Sequence, residues 1–254
     1  MKKLLLGLLM LFLMVNISEA VQTRLVVRAR ARDAKFIGST MGGALVVIRN
    51  SETGEIMAKG FTTGGTGDTK KIMAEPLRRG ESFAGKSAAG FEATVDIDEP
   101  TLVTVEVSAP YAQRQSLVKA STQLWLIPGK DVLGDGLIME IPGFSVDVLA
   151  PQAHEMLKLT GGKLPVPVRA NVMMMCGCPV KPGGIWDANR YEVKAIVKRN
   201  GVLSETVPLR FAGKTSTFEG NLEVTKTGVY EVTVYSFDPA TGNAGVDETT
   251  FMVR

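Results

Sequence analysis

The sequence predicts an all-β protein built as two tandem antiparallel β-sandwich domains after a signal peptide. Three observations lead there. Apolar residues recur at every second position in many short runs bounded by Gly, Pro, Asn or Asp, as strands with one buried face require. Stretches with helical periodicity are nearly absent. Of the 254 residues, 234 follow a 20-residue leader, which suits two domains of roughly 100 to 130 residues.

The leader is read from chemistry. Met1-Lys2-Lys3 is a short cationic start, Leu4 to Val15 is almost wholly apolar, and Ser18-Glu19-Ala20 places small residues where a signal peptidase cuts. Cleavage is expected after Ala20. A spanning helix needs about 20 apolar residues, whereas this run is interrupted by Asn16, Ser18 and Glu19. No later run is long enough to span, so the mature chain is expected in the periplasm or outside the cell with no transmembrane segment. Losing Lys2, Lys3 and Glu19 lowers the net charge from +3 to +2, 27 basic against 25 acidic residues. Basic and acidic side chains are interleaved and aromatics are few, which argues against a nucleic-acid partner.

In the first expected domain, residues 21–150, Leu25-Val26-Val27, Ala44 to Ile48 and Glu55 to Ala58 read as strands, with Asn50 to Gly54 turning between the last two. Phe91, Ala93 and Val95 alternate with Glu92, Thr94 and Asp96. Asp98-Glu99-Pro100 then leads into Leu102 to Val107, and this pair is expected to form a hairpin. Gln123 to Ile127 and Leu137 to Ile141 follow, each closed by Pro-Gly. The Gly-, Thr- and Lys-rich stretch between Phe61 and Lys86 is expected to be a surface loop. Its Gly64-Gly65-Thr66-Gly67-Asp68-Thr69 lacks the Gly-Lys-Ser/Thr ending of a phosphate-binding loop. Ala150 to Met156 breaks the strand pattern and marks the expected boundary. In the second domain, residues 151–254, strands are expected at Val166 to Val172, Tyr191 to Val197, Val207 to Phe211, near Phe218 and from Thr227 to Tyr235. Asn200-Gly201 there has the chemistry of a tight hairpin turn.

Two resemblances attach to these runs. Gly43 to Ile48, Thr53 to Ala58 and Gly60-Phe61-Thr62-Thr63 resemble the opening strands of carboxypeptidase regulatory-like, or transthyretin-like, domains, which are usually non-catalytic modules. Thr227 to Tyr235, Asp238 and Gly242-Asn243-Ala244-Gly245 resemble the last strands of bacterial immunoglobulin-like domains. That resemblance implies a corner hydrogen bond from Tyr230 and a sandwich used for display, spacing or binding.

The unusual chemistry is in Met173-Met174-Met175-Cys176-Gly177-Cys178-Pro179. The chain has two cysteines, so packing and not a disulfide scaffold must supply its stability. If the strand continues to Pro179, alternation projects Met174, Cys176 and Cys178 to one face. Two thiolates and a thioether suit Cu(I), and suit Zn(II) less well. His154 and Met156 could complete such a site if the chain folds back. Three readings compete with a metal site. The cluster can be core packing. It can be a disulfide, since Cα atoms two apart approach the limit of the roughly 4.4 to 6.8 Å range and Gly177 can bend. It can also be a pair exchanging disulfides with a client, although no helix N-terminus is expected there to lower a thiol pKa. Trp186, in Pro182 to Ala188, is expected either to plug the second sandwich or to mark a binding surface.

Acid-base and hydrolytic chemistry has little footing. A Ser-His-Asp set would need His154, and no serine sits in a nucleophile elbow. Asp96, Asp98 and Glu99 lie at a turn without EF-hand spacing. No catalytic residues are assigned. The expectation is an exported non-enzymatic binding or accessory protein with a protein partner in the cell envelope, copper as Cu(I) being the candidate cofactor on Cys176, Cys178 and Met174. The alternative is a structural or adhesive surface module whose cysteines bind nothing. A thiol-disulfide oxidoreductase ranks third.

Overall fold

A computed structural model describes residues 19–254. The expected leader, residues 1–20, thus lies outside the described residues except for its last two. Among the described residues no helix is long and apolar enough to cross a membrane.

The first sandwich begins with β1 (Val21–Ala31), β2 (Leu45–Asn50), β3 (Ile56–Phe61), β4 (Thr63–Thr66) and β5 (Ala88–Ile97). It continues with β6 (Thr101–Ala109), β7 (Val118–Leu126) and β8 (Val132–Ile141). One sheet has the order β4-β5-β1-β8 and the other β3-β2-β6-β7. Alternation does its expected work: Ala93, Val95 and Ile97 of β5 and Val103, Val105 and Val107 of β6 face one core.

The second sandwich comprises β9 (Phe144–Ala150), β10 (Glu155–Leu157), β11 (Leu164–Met174), β12 (Glu192–Arg199) and β13 (Val202–Pro208). It ends with β14 (Arg210–Phe211), β15 (Thr217–Val224), β16 (Gly228–Phe237) and β17 (Ala244–Val253). Its sheets run β14-β15-β11-β9 and β10-β17-β16-β12-β13. β12 and β13 form the hairpin expected at Asn200-Gly201, where both residues have positive φ, 50° and 79°. Tyr230 Oη donates to Lys226 O at 2.7 Å, the corner bond that the second resemblance implied.

Four expectations change. β5 and β6 are not a hairpin. β5 pairs with β1 while β6 pairs with β2 and β7, so Asp98-Glu99-Pro100 carries the chain from one sheet to the other. Alternation tells which side chains are buried but not which backbone is the partner. The division expected after Ala150 moves to Pro142-Gly143, because β9 pairs with β11 from Phe144↔Met174 to Ala150↔Arg169. Pairing is not purely antiparallel: β1–β8 and β10–β17 are parallel. Both β8 and β10 follow a strand of the opposite sheet, so no short turn dictates their direction.

The stretch between Phe61 and Lys86 also differs, being partly ordered. It contains β4 and a short helix, α1 (Thr69–Met73), whose first turn is capped by Asp68 accepting from Lys71 N at 2.9 Å. Ile72, Phe83, Ala84 and Ala88 close over Phe36 in a small satellite core. Asp135 pins the returning chain by accepting from Ser82 Oγ, Phe83 N and Ala84 N. Burial raises its carboxyl pKa, but these hydrogen bonds outweigh burial and hold it below the usual value. A helix of five residues is too short to show a period. We expect Asp135→Ala to release this segment while both sandwiches stay folded. Limited trypsin digestion should then cut at the exposed Arg78 and Arg79 faster than in the parent, and unchanged digestion would refute the pin.

Candidate functional site

The sulfur-rich segment is a tight reversal at the end of β11. Gly177 N donates to Met174 O at 2.8 Å, Met174 N donates to Cys178 O at 3.1 Å, and Met173 pairs with Pro179. The strand therefore ends at Met174, and the alternation expected as far as Pro179 does not persist. Cys176 and Cys178 are joined in a disulfide with Cα atoms 5.3 Å apart. The separation is met because Gly177 bends at φ 75°, where a side chain would be strained.

The expected set of Cys176, Cys178 and Met174 is thus brought together, but with both cysteine sulfurs bonded to each other. A disulfide sulfur is not the thiolate that Cu(I) takes, so a metal on this set requires the dithiol form. All three residues are buried, as is Met175, with exposures of 1% for Cys176, Met174 and Met175 and 4% for Cys178.

Tertiary structure adds a sulfur that the sequence does not place here. Met41, in the first sandwich, lies against the turn: a Cβ on Gly177 would sit 2.8 Å from Met41 Sδ and 3.1 Å from its Cγ. The other thioethers are engaged elsewhere. Tyr191 Oη donates to Met174 Sδ at 4.0 Å, and the terminal methyl of Met175 packs on Gly143, where a Cβ would come within 2.8 Å of it. No spacing in the chain links residue 41 to residue 177, so Met41 leaves no signal in a linear reading.

Around the cluster the two sandwiches are joined by hydrogen bonds. Trp186 Nε1 donates to Asp33 O at 2.9 Å, and Asn243 Nδ2 donates to Arg32 O at 3.1 Å while its Oδ1 accepts from Gly143 N at 2.8 Å. Trp186 is therefore not an exposed platform; it is buried at the end of the second sandwich and reaches across the junction. A 3-10 turn of the first sandwich, Arg114–Ser116, lies along the edge of β9. Ser116 Oγ accepts from Val146 N at 3.3 Å, and Gln115 Nε2 donates to Val146 O and Asp147 Oδ1. An edge strand that would otherwise expose its backbone is covered by the neighbouring domain.

Electrostatics follow from this burial. Burial first, then Asp238 and Asp33, push the Tyr191 hydroxyl up to about 12, so it stays a neutral donor beside Met174. Its ring meets Phe144 edge-on at 4.8 Å. Burial also raises the Asp33 carboxyl despite the nearby Arg190. Asp187 is held low by hydrogen bonds from Asn189 N and Gly183 N, which shape the turn carrying Trp186.

His154 and Met156 do not reach the sulfurs. His154 N donates to Thr250 O, and β10 pairs with the last residues of β17, whereas the opposite end of β17 packs on Phe144 and Gly143. At about 3.4 Å per residue the two ends of that strand are roughly 20 Å apart or more. Elsewhere, a groove of about 380 Å³ lies beside Pro151, Leu157, Pro165 and Pro167. Val202 and Leu203 are exposed on the outer strand β13.

No protein-family model matches this chain, and no curated protein matches it significantly. Solved structures with some likeness include an engineered protein, 18% identical, covering 51% of this chain and 24% of its own length at a TM-score of 0.30. The match thus spans about a quarter of that protein. The fibronectin(III)-like modules of CbhA from Clostridium thermocellum are 11% identical, with 92% and 94% covered and a TM-score of 0.30. An ICAM-5 D1–D4 ectodomain fragment is 10% identical, with 93% and 50% covered and a TM-score of 0.27. The sandwich architecture rests on the strand pairing.

Two outcomes test the junction. The Asp33 carboxyl has a raised folded pKa, so its ionisation costs stability that is lost as pH rises from the unfolded to the folded value. Asp33→Asn, which tolerates the positive φ at this position, should be neutral or stabilising at pH 7 by no more than about 1 kcal/mol, since the group is partly solvated. That gain should vanish in melts below about pH 4. A ring this small removes little chain entropy, so Cys176→Ala with Cys178→Ala should cost about 1.5 kcal/mol. Thermal melts of the double variant should fall by about 3 to 6 °C.

Proposed function

We propose that this chain is an exported, non-enzymatic accessory protein that holds two sandwiches in a fixed relation for a partner in the cell envelope. The observation that carries the reading is the buried Cys176–Cys178 turn, seated against Met41 of the other sandwich among hydrogen bonds that cross the junction. A disulfide in that position fits an oxidising compartment, as does the leader read from residues 1–20. The first sandwich is proposed to be transthyretin-like and the second immunoglobulin-like, the latter supported by the Tyr230–Lys226 corner bond. Exchange with a client is disfavoured by burial, since an attacking thiolate must reach a sulfur atom.

A second reading, Cu(I) handling, is supported by the closeness of the two cysteine sulfurs in one buried turn. In it the dithiol form of the newly exported chain is the binding species.

The first reading has a direct test. Fractionation and N-terminal sequencing should find a mature chain beginning at Val21 outside the cytoplasm. Insulin reduction by that chain should be no faster than by the Cys176→Ser, Cys178→Ser variant. A cytoplasmic full-length chain, or catalysis dependent on the thiols, would remove this reading.

A further inference from the structure

We propose that residues 75–82 form a processing site for an endoprotease that cleaves after arginine, with Arg78–Arg79 as the scissile bond, and that the cleaved chain persists as a two-piece molecule. A protease of this class grips an extended segment of about eight residues, four on each side of the bond, and draws the arginine onto an acid at the base of its pocket. A strand cannot supply that segment, because its backbone groups are already paired within the sheet. Residues 75–82 can: every one is exposed, and none lies in a strand or a helix. Among the described lysines and arginines, Arg78 is the only one with four exposed residues on either side. Leu77, which would enter the protease just before it, is 67% exposed and holds the loop to nothing beneath. Glu81 N donates to Arg78 O at 3.2 Å, a turn bond that opens as the segment extends.

The step is a hydrolysis and needs only water and the protease. Water adds across the Arg78–Arg79 amide, leaving a carboxylate on Arg78 and an amine on Arg79. Both new ends stay anchored near the cut. On one side α1 is capped by Asp68, and its Ile72 is buried against Phe36. On the other side Phe83 and Ala84 are buried in the same satellite core, the Arg30 guanidinium lies over the Phe83 ring at 4.7 Å, and Asp135 accepts from Ser82 Oγ, Phe83 N and Ala84 N. The two pieces are also interleaved. β1 to β4 precede the cut and β5 onward follow it, yet the sheet orders β4-β5-β1-β8 and β3-β2-β6-β7 set strands of each piece side by side. β1 alone pairs with β5 from Val21↔Ile97 to Val27↔Phe91. Cleavage therefore removes one covalent link and leaves the core of the first sandwich closed.

The test uses the full mature chain under native conditions, with trypsin as the probe protease. Mass spectrometry and N-terminal sequencing should find a first cut that leaves Arg79 as a new N-terminus, at least about tenfold faster than any second cut, because sites inside strands must open before a protease can hold them. Size-exclusion chromatography should then recover both pieces in one peak at the elution volume of the uncut chain. Arg78→Gln, on the exposed loop, should slow the first cut by about tenfold, leaving the bond after Arg79, whose fourth following residue, Phe83, is buried. Arg79→Gln should leave cleavage after Arg78 in place. A first cut at any other lysine or arginine, or an Arg78→Gln chain cut as fast as the parent, would overturn the site. Pieces that separate on the column would overturn the two-piece molecule, and trypsin blocked by an uncut chain would make the loop an inhibitor and not a substrate.

Discussion

The junction between the sandwiches centres on Gly177, whose backbone at φ 75° meets Met41 of the other sandwich. The φ of 75° at Gly177 turns β11 back on itself, and the missing side chain lets the first sandwich come down onto the turn. One residue thereby sets the reversal of the strand and takes part in the contact between the domains. The disulfide closes the same turn from within. It adds little loop entropy, so its effect is local: it holds the backbone in the shape that Met41 packs against.

The rest of the junction follows from the need to pair buried backbone groups. β9 is an outer strand, and half of its polar groups would face outward at the domain boundary. Ser116 and Gln115 meet Val146, while the carbonyls of Arg32 and Asp33 are taken by Asn243 and Trp186. These are side-chain partners, so the match depends on particular residues and not on strand register. Contiguous apolar packing runs through both sandwiches by way of Met41, Phe144, Met175 and Trp186. Relative domain motion is the ordinary expectation for a polar linker of a few residues; here a continuous core and crossing hydrogen bonds oppose it.

The sulfur atoms near the junction have separate partners. In the oxidised chain the Cys-Gly-Cys turn is a staple. Tyr191 donates to Met174 Sδ, and burial keeps its hydroxyl protonated at physiological pH.

Strand positions, turns and the sulfur cluster were legible because each depends on residues near one another in sequence. Alternation marked β5 and β6, Asn200-Gly201 marked the β12–β13 turn, and Gly177 marked the bend between the cysteines. Alternation grouped Met174 with both cysteines on one face, but it could not show that the strand stops at Met174. The five-residue helix α1 escaped because a single turn has no measurable period.

The sequence by itself determined the class of fold, the spacing of its strands and the presence of a soft-sulfur segment, since these arise from patterns a few residues long. Only tertiary structure decided that β5 and β6 lie in different sheets, that β9 belongs to the second sandwich, and that Met41 meets Gly177. Those outcomes join groups separated by tens to more than a hundred residues. The physical reason is that burial periodicity specifies a face, whereas the choice of partner is made by shape and hydrogen-bond complementarity between surfaces that exist only after the strands have formed.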